Sequence, residues 1–158
     1  MVIEKLKRFL DEKKVEYSII QHSTAYTASE VAEVTHISGK EIAKTVIVNL
    51  DGKKVMVALP ASYQIDFDLL REAAVARSAE LATEEEFRNM FPGCQVGAMP
   101  PFGNLYGLDV IIDATLTEDK EIVFNAGTHQ ELIRMRFYDF QRLVRPRILC
   151  LTKASAIF

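Results

Sequence analysis

The sequence contains little of what disulfide frameworks, zinc sites and membrane spans require. Its 158 residues include two cysteines, Cys94 and Cys150, which form no CxxC pair and predict neither a disulfide framework nor a zinc knuckle. No apolar run approaches the ~18–20 residues of a membrane-spanning helix. The first residues mix acids with bases and lack the apolar core of a signal peptide. We therefore expect a cytoplasmic protein that has no membrane partner.

Motifs of the common hydrolases and nucleotide-binding proteins are also absent. The chain contains no GxSxG nucleophile elbow, no HExxH zinc motif and no P-loop. A three-histidine metal site would require His22, His36 and His129 to converge, so we expect no metal and no cofactor. Cys94 is more typical of a small buried side chain than of a nucleophile. Any catalysis is therefore expected to depend on positioning and polarisation of the substrate.

The charge balance limits the kind of nucleic-acid partner. A net charge of −3 argues against a large nonspecific nucleic-acid interface, and we expect no DNA partner. The charges are unevenly spread, with an acidic segment over residues 80–86 and a basic stretch over residues 134–153. These stretches are either solvated faces of helices and strands or, for the basic one, a flank for a nucleic-acid backbone. Any nucleic-acid partner is therefore expected to be bound locally, over a small surface.

Hydrophobic periodicity and turn residues predict a single α+β domain. The strongest local signal is Asp51-Gly52 between two apolar runs, which predicts a β-hairpin over residues 44–60. Hydroxyl residues with glutamate three positions later predict that short helices begin after Thr27, Ser38 and Thr83. Other patterns predict helices at residues 2–14, 66–74 and 138–144, and strands at residues 17–21, 110–113, 121–125 and 131–137. Pairs of strands with helices grouped between them favour a mixed, mostly antiparallel sheet.

Three segments place polar groups at the ends of predicted elements. Lys44 stands at the entrance to an apolar strand, where it either extends to solvent or offers a point charge to a phosphate. Residues 97–103 contain two prolines between glycines, and they form either a structural turn or a rigid loop whose backbone groups line a pocket. His129 follows a strand, and it is either a turn residue or a group that binds a substrate amine or relays a proton.

Together and in this order, the three segments resemble the YbaK/prolyl-tRNA synthetase-associated editing family. The resemblance covers about residues 1–146, which we interpret as an editing domain, and leaves residues 147–158 as a C-terminal tail of unassigned role. It implies a barrel-like mixed sheet and hydrolysis of the ester between a mischarged amino acid and the 3′ end of a transfer RNA. The residues that it places at the site are Lys44, Gly97 and His129 for catalysis, and Thr45, Ala98, Met99, Pro100, Pro101, Phe102, Gly103, Gly127 and Thr128 for substrate binding.

The family also implies a division of roles. The lysine matched by Lys44 holds the phosphate of the terminal nucleotide, and the loop matched by residues 97–101 shapes the aminoacyl pocket. A histidine matched by His129 helps to set the pocket in alanine-clearing members, and water is the nucleophile, helped by the substrate's ribose hydroxyl. Thr45 stands where some alanine-clearing members carry asparagine. Alanine, serine and cysteine therefore all stay open as the amino acid removed, with tRNA for proline as one candidate carrier.

Two other interpretations are compatible with the sequence. The missing general base and the acidic net charge allow a non-catalytic module that binds a tRNA end or a nucleotide. The apolar C-terminal tail allows a regulatory or interaction protein. The deacylase is the principal hypothesis, with the 3′ acceptor end of an aminoacyl-tRNA as its partner.

Overall fold

A computed structural model describes residues 3–157 and shows one mixed β-sheet with helices on both faces. The strands are β1 Tyr17–Gln21, β2 Ile42–Leu50, β3 Lys53–Pro60, β4 Ala79–Leu81, β5 Val110–Asp113, β6 Glu121–Asn125, β7 Glu131–Arg136 and β8 Arg147–Leu149. Their order is β1-β7-β6-β2-β3-β5-β8, and β4 pairs with β2 outside this path. The sheet is therefore open, with β1 and β8 at its edges, and is not closed into a barrel.

The predicted α+β domain with a mixed sheet is confirmed. The pairs β1–β7, β6–β7, β2–β3 and β2–β4 are antiparallel, whereas β2–β6, β3–β5 and β5–β8 are parallel. The predicted hairpin is formed by β2 and β3. Its turn residues Asp51 and Gly52 have φ values of 50° and 81°, the left-handed pair that a two-residue hairpin turn requires.

Five α-helices flank this sheet within the described part of the chain: α1 Glu4–Glu12, α2 Ala28–Thr35, α3 Phe67–Ala73, α4 Glu84–Phe87 and α5 Phe137–Val144. Two of the predicted helix starts are confirmed. Thr27 accepts the N–H of Glu30, and Thr83 forms a reciprocal capping box with Glu86. None of these helices is long and apolar enough to cross a membrane.

The helix predicted to begin after Ser38 is wrong. The carbonyl oxygen of Ser38 accepts the N–H groups of Glu41 and Ile42 at 2.9 and 3.2 Å, which closes a turn. Because β2 begins at Ile42, no further residues are available to extend this turn into a helix.

The two faces of the sheet carry separate apolar clusters. On the face that we call the inner face, Ala43 and Phe124 pack with residues of α1 and α5. On the opposite, outer face, Ile42 and Val123 pack with α2, and residues of β3 pack with α3. Side chains alternate between the two faces along a strand, so Lys44 lies on the outer face with Ile42.

The C-terminal tail joins the sheet and is fixed to it by one buried carboxylate. β8 pairs with β5 in parallel, a strand that the sequence did not predict. Asp113, fully buried, accepts the N–H of Leu151 at 3.1 Å and the hydroxyl of Ser155 at 2.7 Å. The Thr152 hydroxyl and both the N–H and the hydroxyl of Thr115 donate to the same carboxylate. These donors stabilise a buried negative charge that would otherwise be strongly unfavourable.

Candidate active site

Lys44 lies on the outer face near the start of β2, directly opposite Leu59 of β3. The side chain is partly buried, and this burial lowers the pKa of its ammonium. Among residues 3–157 the ammonium has no ion-pair partner. The parallel register aligns Ala43 with Phe124, so one further residue brings Lys44 beside Asn125 of β6. A partly desolvated cation without a partner is suited to bind an anion from outside.

Asn125 was not among the predicted site residues. Its side-chain Oδ1 is buried and has no hydrogen-bond donor within the described residues. Strand alternation places this side chain on the outer face, the same face as Lys44. A buried amide oxygen without a donor is costly, and a hydroxyl or ammonium group of a ligand would satisfy it. The sequence signal was present, since a polar amide ends an otherwise apolar strand.

The proline loop (residues 97–103) and the two residues before it are attached to the segment that follows β6. The backbone N–H of Gln95 donates to the carbonyl of Gly127 at 2.8 Å, and the N–H of Gly127 donates to the carbonyl of Ala98 at 2.9 Å. Gly127 follows Asn125 by two residues, or about 7 Å along an extended chain. The three predicted segments therefore meet at the C-terminal end of β6.

His129 is held in this junction by hydrogen bonds of both its ring and its backbone. Its Nε2 lies 2.8 Å from the carbonyl oxygen of Val96, and its backbone N–H donates to Oε1 of Gln95 at 2.8 Å. Because a carbonyl can only accept, Nε2 carries the proton of this bond, which makes Nδ1 the acceptor of the neutral ring. Only 7% of His129 is exposed. The imidazole is thus fixed in orientation and in tautomer.

The rim of the junction is formed by Tyr26 and Gly97. The Tyr26 ring packs on the imidazole of His129, with centroids 4.9 Å apart, although 71% of Tyr26 is exposed. Gly97 is also exposed, has φ +85°, and would place a Cβ 3.5 Å from Cε1 of His129. Tyr26 is a second residue that the sequence did not identify, because an aromatic residue between predicted elements carries no distinctive signal.

Most of the predicted loop residues are packed inside the protein. Ala98, Met99, Pro100, Pro101, Phe102 and Gly103 are all buried. Phe102 packs against the rings of three other phenylalanines on the inner face, and a Cβ on Gly103 would lie 2.7 Å from Cγ2 of Val110. These side chains fix the shape of the loop, and its first residues, around Gly97, are the part that reaches the junction.

The N–H of Gly97 has an unusual partner. It points at Sδ of Met99, 3.3 Å away, and a thioether is a weak acceptor. A substrate oxygen would therefore compete effectively for this donor. Of the other predicted binding residues, Thr128 accepts the N–H of Gln130 at 3.3 Å. Thr45 pairs with Ala58 and, by strand alternation, faces the inner side.

Gly127 has a conformational and steric reason to be glycine. Its φ is +99°, and a Cβ at this position would collide with Cγ2 of Ile3. The residue therefore allows the N-terminal segment to approach β6 closely, where the N–H of Ile3 donates to the carbonyl of Ala126 at 3.2 Å. Gly127 thus shapes the junction through its backbone.

Within residues 3–157, no group of three or more His, Cys, Asp or Glu side chains is placed to hold a metal ion. Cys94 is partly buried, and burial raises the pKa of its thiol. Its Sγ lies 3.6 Å from the hydroxyl of Tyr106. The thiolate, which would be the nucleophilic form, is therefore disfavoured.

Comparisons with known proteins agree on one family. A family model described as "Aminoacyl-tRNA editing domain" matches residues 22–143. The "Multifunctional Ser/Thr-tRNA deacylase ProXp-y" of Escherichia coli (strain K12) is 25% identical over 151 residues, covering 92% of this chain and 90% of that protein. A "Proline--tRNA ligase" of Halalkalibacterium halodurans is 29% identical over 103 residues, which are 65% of this chain and 18% of the ligase.

A solved structure shows the same fold. The crystal structure of "hypothetical protein APE2540" superimposes with a TM-score of 0.84 at 19% identity. The match covers 95% of this chain and 100% of that one. The open sheet and its helices are therefore shared across the whole length of that protein.

Proposed function

This chain belongs to the aminoacyl-tRNA editing domain family, and we propose that it hydrolyses the ester of mischarged aminoacyl-tRNA bound by its 3′ acceptor end. One observation carries this proposal. Lys44, Asn125, Gly97 and His129 come from three separate segments and are gathered around the end of β6. On one face of the sheet, Lys44 offers a cation and Asn125 offers an acceptor that has no donor among residues 3–157.

Binding of the acceptor end begins with Lys44. Its ammonium would contact the phosphate of the terminal nucleotide, the role that the family resemblance gives to this lysine. Partial burial strengthens such a contact, because the interaction is less screened than in bulk water. Asn125 Oδ1 would accept a hydrogen bond from a ribose hydroxyl or from the α-ammonium of the amino acid.

Hydrolysis would then use positioned groups in place of a covalent nucleophile. The oxygen of a water molecule attacks the ester carbonyl carbon, and the negative charge that develops on the carbonyl oxygen is stabilised by the N–H of Gly97. The bond to the ribose oxygen breaks, and this oxygen takes up a proton from the attacking water. The ribose hydroxyl of the substrate assists the water. His129 and Tyr26, whose rings pack on each other, would contact the amino acid.

The amino acid removed would be chosen by the size and polarity of the space beside His129 and Tyr26. Alanine, serine and cysteine are the candidates from the sequence, and the deacylase of Escherichia coli adds threonine through its name. A difference of one methylene is worth about 1–3 kcal/mol in such a pocket, so discrimination among them is expected to be partial. A cytoplasmic location, expected from the sequence, suits a substrate of translation.

The test is a panel of tRNAs charged with alanine, serine, cysteine, threonine or proline. Release of free amino acid in many turnovers per protein supports the deacylase. The alternative function, a module that binds a tRNA end without turnover, predicts protection of the ester from spontaneous hydrolysis. Protection without release from every member of the panel would overturn the proposed hydrolysis.

A further inference from the structure

A cleft, which we call the tail cleft, opens on the outer face between the C-terminal tail and the segment that follows β3. Its volume is about 370 Å³, and it is lined by residues 63–66 and 152–154. Tyr63 forms part of one wall and packs against the apolar cluster that contains Leu59 and Leu151. Lys153 forms part of the other wall, is exposed, and has no ion-pair partner among residues 3–157.

This cleft lies along the same row of the sheet as Lys44. Lys44 is opposite Leu59 in β3, and the parallel register of β3 with β5, continued by one residue, places Leu59 beside Asp113. Asp113 in turn holds the tail that forms the cleft. Two strand spacings, about 10 Å, therefore separate Lys44 from the anchor of the tail.

The wall that carries Lys153 is rigidly built. The N–H of Thr152 donates to the hydroxyl of Ser155, and the N–H of Ser155 donates to the hydroxyl of Thr152, at 3.1 and 3.2 Å. Both hydroxyls also contact the Asp113 carboxylate. Lys153 lies inside this closed turn, so its backbone is positioned before any ligand arrives.

We propose that the tail cleft binds the nucleotides that precede the terminal adenosine of the acceptor strand, with Lys153 on a phosphate and Tyr63 against a base. A cation beside an aromatic ring is the arrangement by which proteins bind single-stranded nucleic acid without reading its sequence. Asp66 also lines the cleft, and its Oδ1 is engaged in capping α3, where it accepts the N–H groups of Asp68 and Leu69. The proposal rests on the proposed function, because that function places the terminal nucleotide at Lys44.

The test measures binding of two labelled probes to the full chain, a CCA trinucleotide and adenosine 5′-monophosphate. We expect the trinucleotide to bind more tightly. Lys153→Ala should weaken its binding about two- to fivefold and reduce the slope of log Kd against log salt by about 0.7, because one phosphate contact is lost. Tyr63→Leu should weaken it at least about fivefold through lost stacking. Lys7→Ala is the matched control, since Lys7 is an exposed lysine on α1, across the sheet from the cleft.

Failure of this proposal is distinguishable from failure of the proposed function. Equal affinity for the two probes, or an unchanged salt slope in Lys153→Ala, would overturn the subsite even in a protein that hydrolyses mischarged tRNA. Conversely, the protein could show the expected differences between the probes and release no amino acid. This result would support the subsite and overturn the proposed hydrolysis. Circular dichroism of Tyr63→Leu separates a lost contact from a lost fold, and the exposed Lys153 provides the independent variant.

Discussion

Replacing Lys44 by methionine removes the ammonium and keeps an unbranched side chain of similar length. If the ammonium binds the terminal phosphate, the variant loses a charge-assisted contact worth about 1.5–3 kcal/mol. At 1.36 kcal/mol per factor of ten, kcat/KM for a mischarged tRNA should fall about 10- to 150-fold. The assay is release of labelled amino acid at substrate concentrations below KM. Lys40→Met is the control, because Lys40 is exposed in the turn just before β2.

The same variant should not lose stability. Burial lowers the pKa of Lys44 from 10.5 in the folded state, so the unfolded chain holds the proton more tightly. The charged lysine therefore disfavours folding at neutral pH, and this penalty disappears as the pH rises through the folded pKa towards 10.5. We expect the Tm of Lys44→Met at pH 7 to equal or exceed that of the wild type. A kcat/KM within about twofold of wild type, or a clear fall in Tm, would refute the reasoning.

Three further predictions follow from particular contacts. Asp113→Ala leaves at least the N–H groups of Thr115 and Leu151 without their acceptor. The free energy of unfolding, measured in urea, should therefore fall by about 2–6 kcal/mol. A fall of less than about 1 kcal/mol would contradict a stabilising role of this hydrogen-bond network. The pKa of Glu86 is lowered from 4.5 to about 2, chiefly by the hydrogen bond from Lys54 and next by the one from Asn49. The ionised carboxylate therefore stabilises the fold above pH 4.5, and this stabilisation is lost as the pH falls towards 2. Glu86→Gln should flatten this part of the stability curve, and an unchanged curve would remove the carboxylate as its cause. His129→Ala should change the ratio of kcat/KM values across the tRNA panel, and a uniform change for every amino acid would argue against a role in selection.

Much of the fold could be predicted because local signals agree with the tertiary structure. The strands β1, β5 and β6 occupy the predicted residues, and the Asp51-Gly52 turn fixes the register of β2 against β3. The family and the fold class are confirmed as well. The two strands that were missed, β4 and β8, have three residues each, too few for a period-2 pattern to emerge. The helix after Ser38 was predicted wrongly because a capping sequence is also compatible with a single turn.

The site could be predicted in part, since the three segments that meet at the end of β6 were all identified. The direction of each side chain could not be predicted. Residues 98–103 carry two prolines and no regular period, so the sequence gives no reason to turn Phe102 inward. Asn125 was missed because a polar residue at the end of a strand does not by itself show that its side-chain oxygen is buried and lacks a donor among the described residues. The catalytic and binding roles of the site residues stay predictions.

The pairing of β8 with β5 has a consequence for any shortened version of this protein. All four residues of β5 are buried. Along the edge of β5 that faces away from β3, the backbone groups pair with β8. A chain that stopped after Pro146 would present those N–H and C=O groups as a bare strand edge, which is a template for adding a strand from another molecule. Oligomers of such a truncated chain would therefore be explained by the newly exposed edge of β5. The self-association of the native protein has to be measured on a chain that keeps β8.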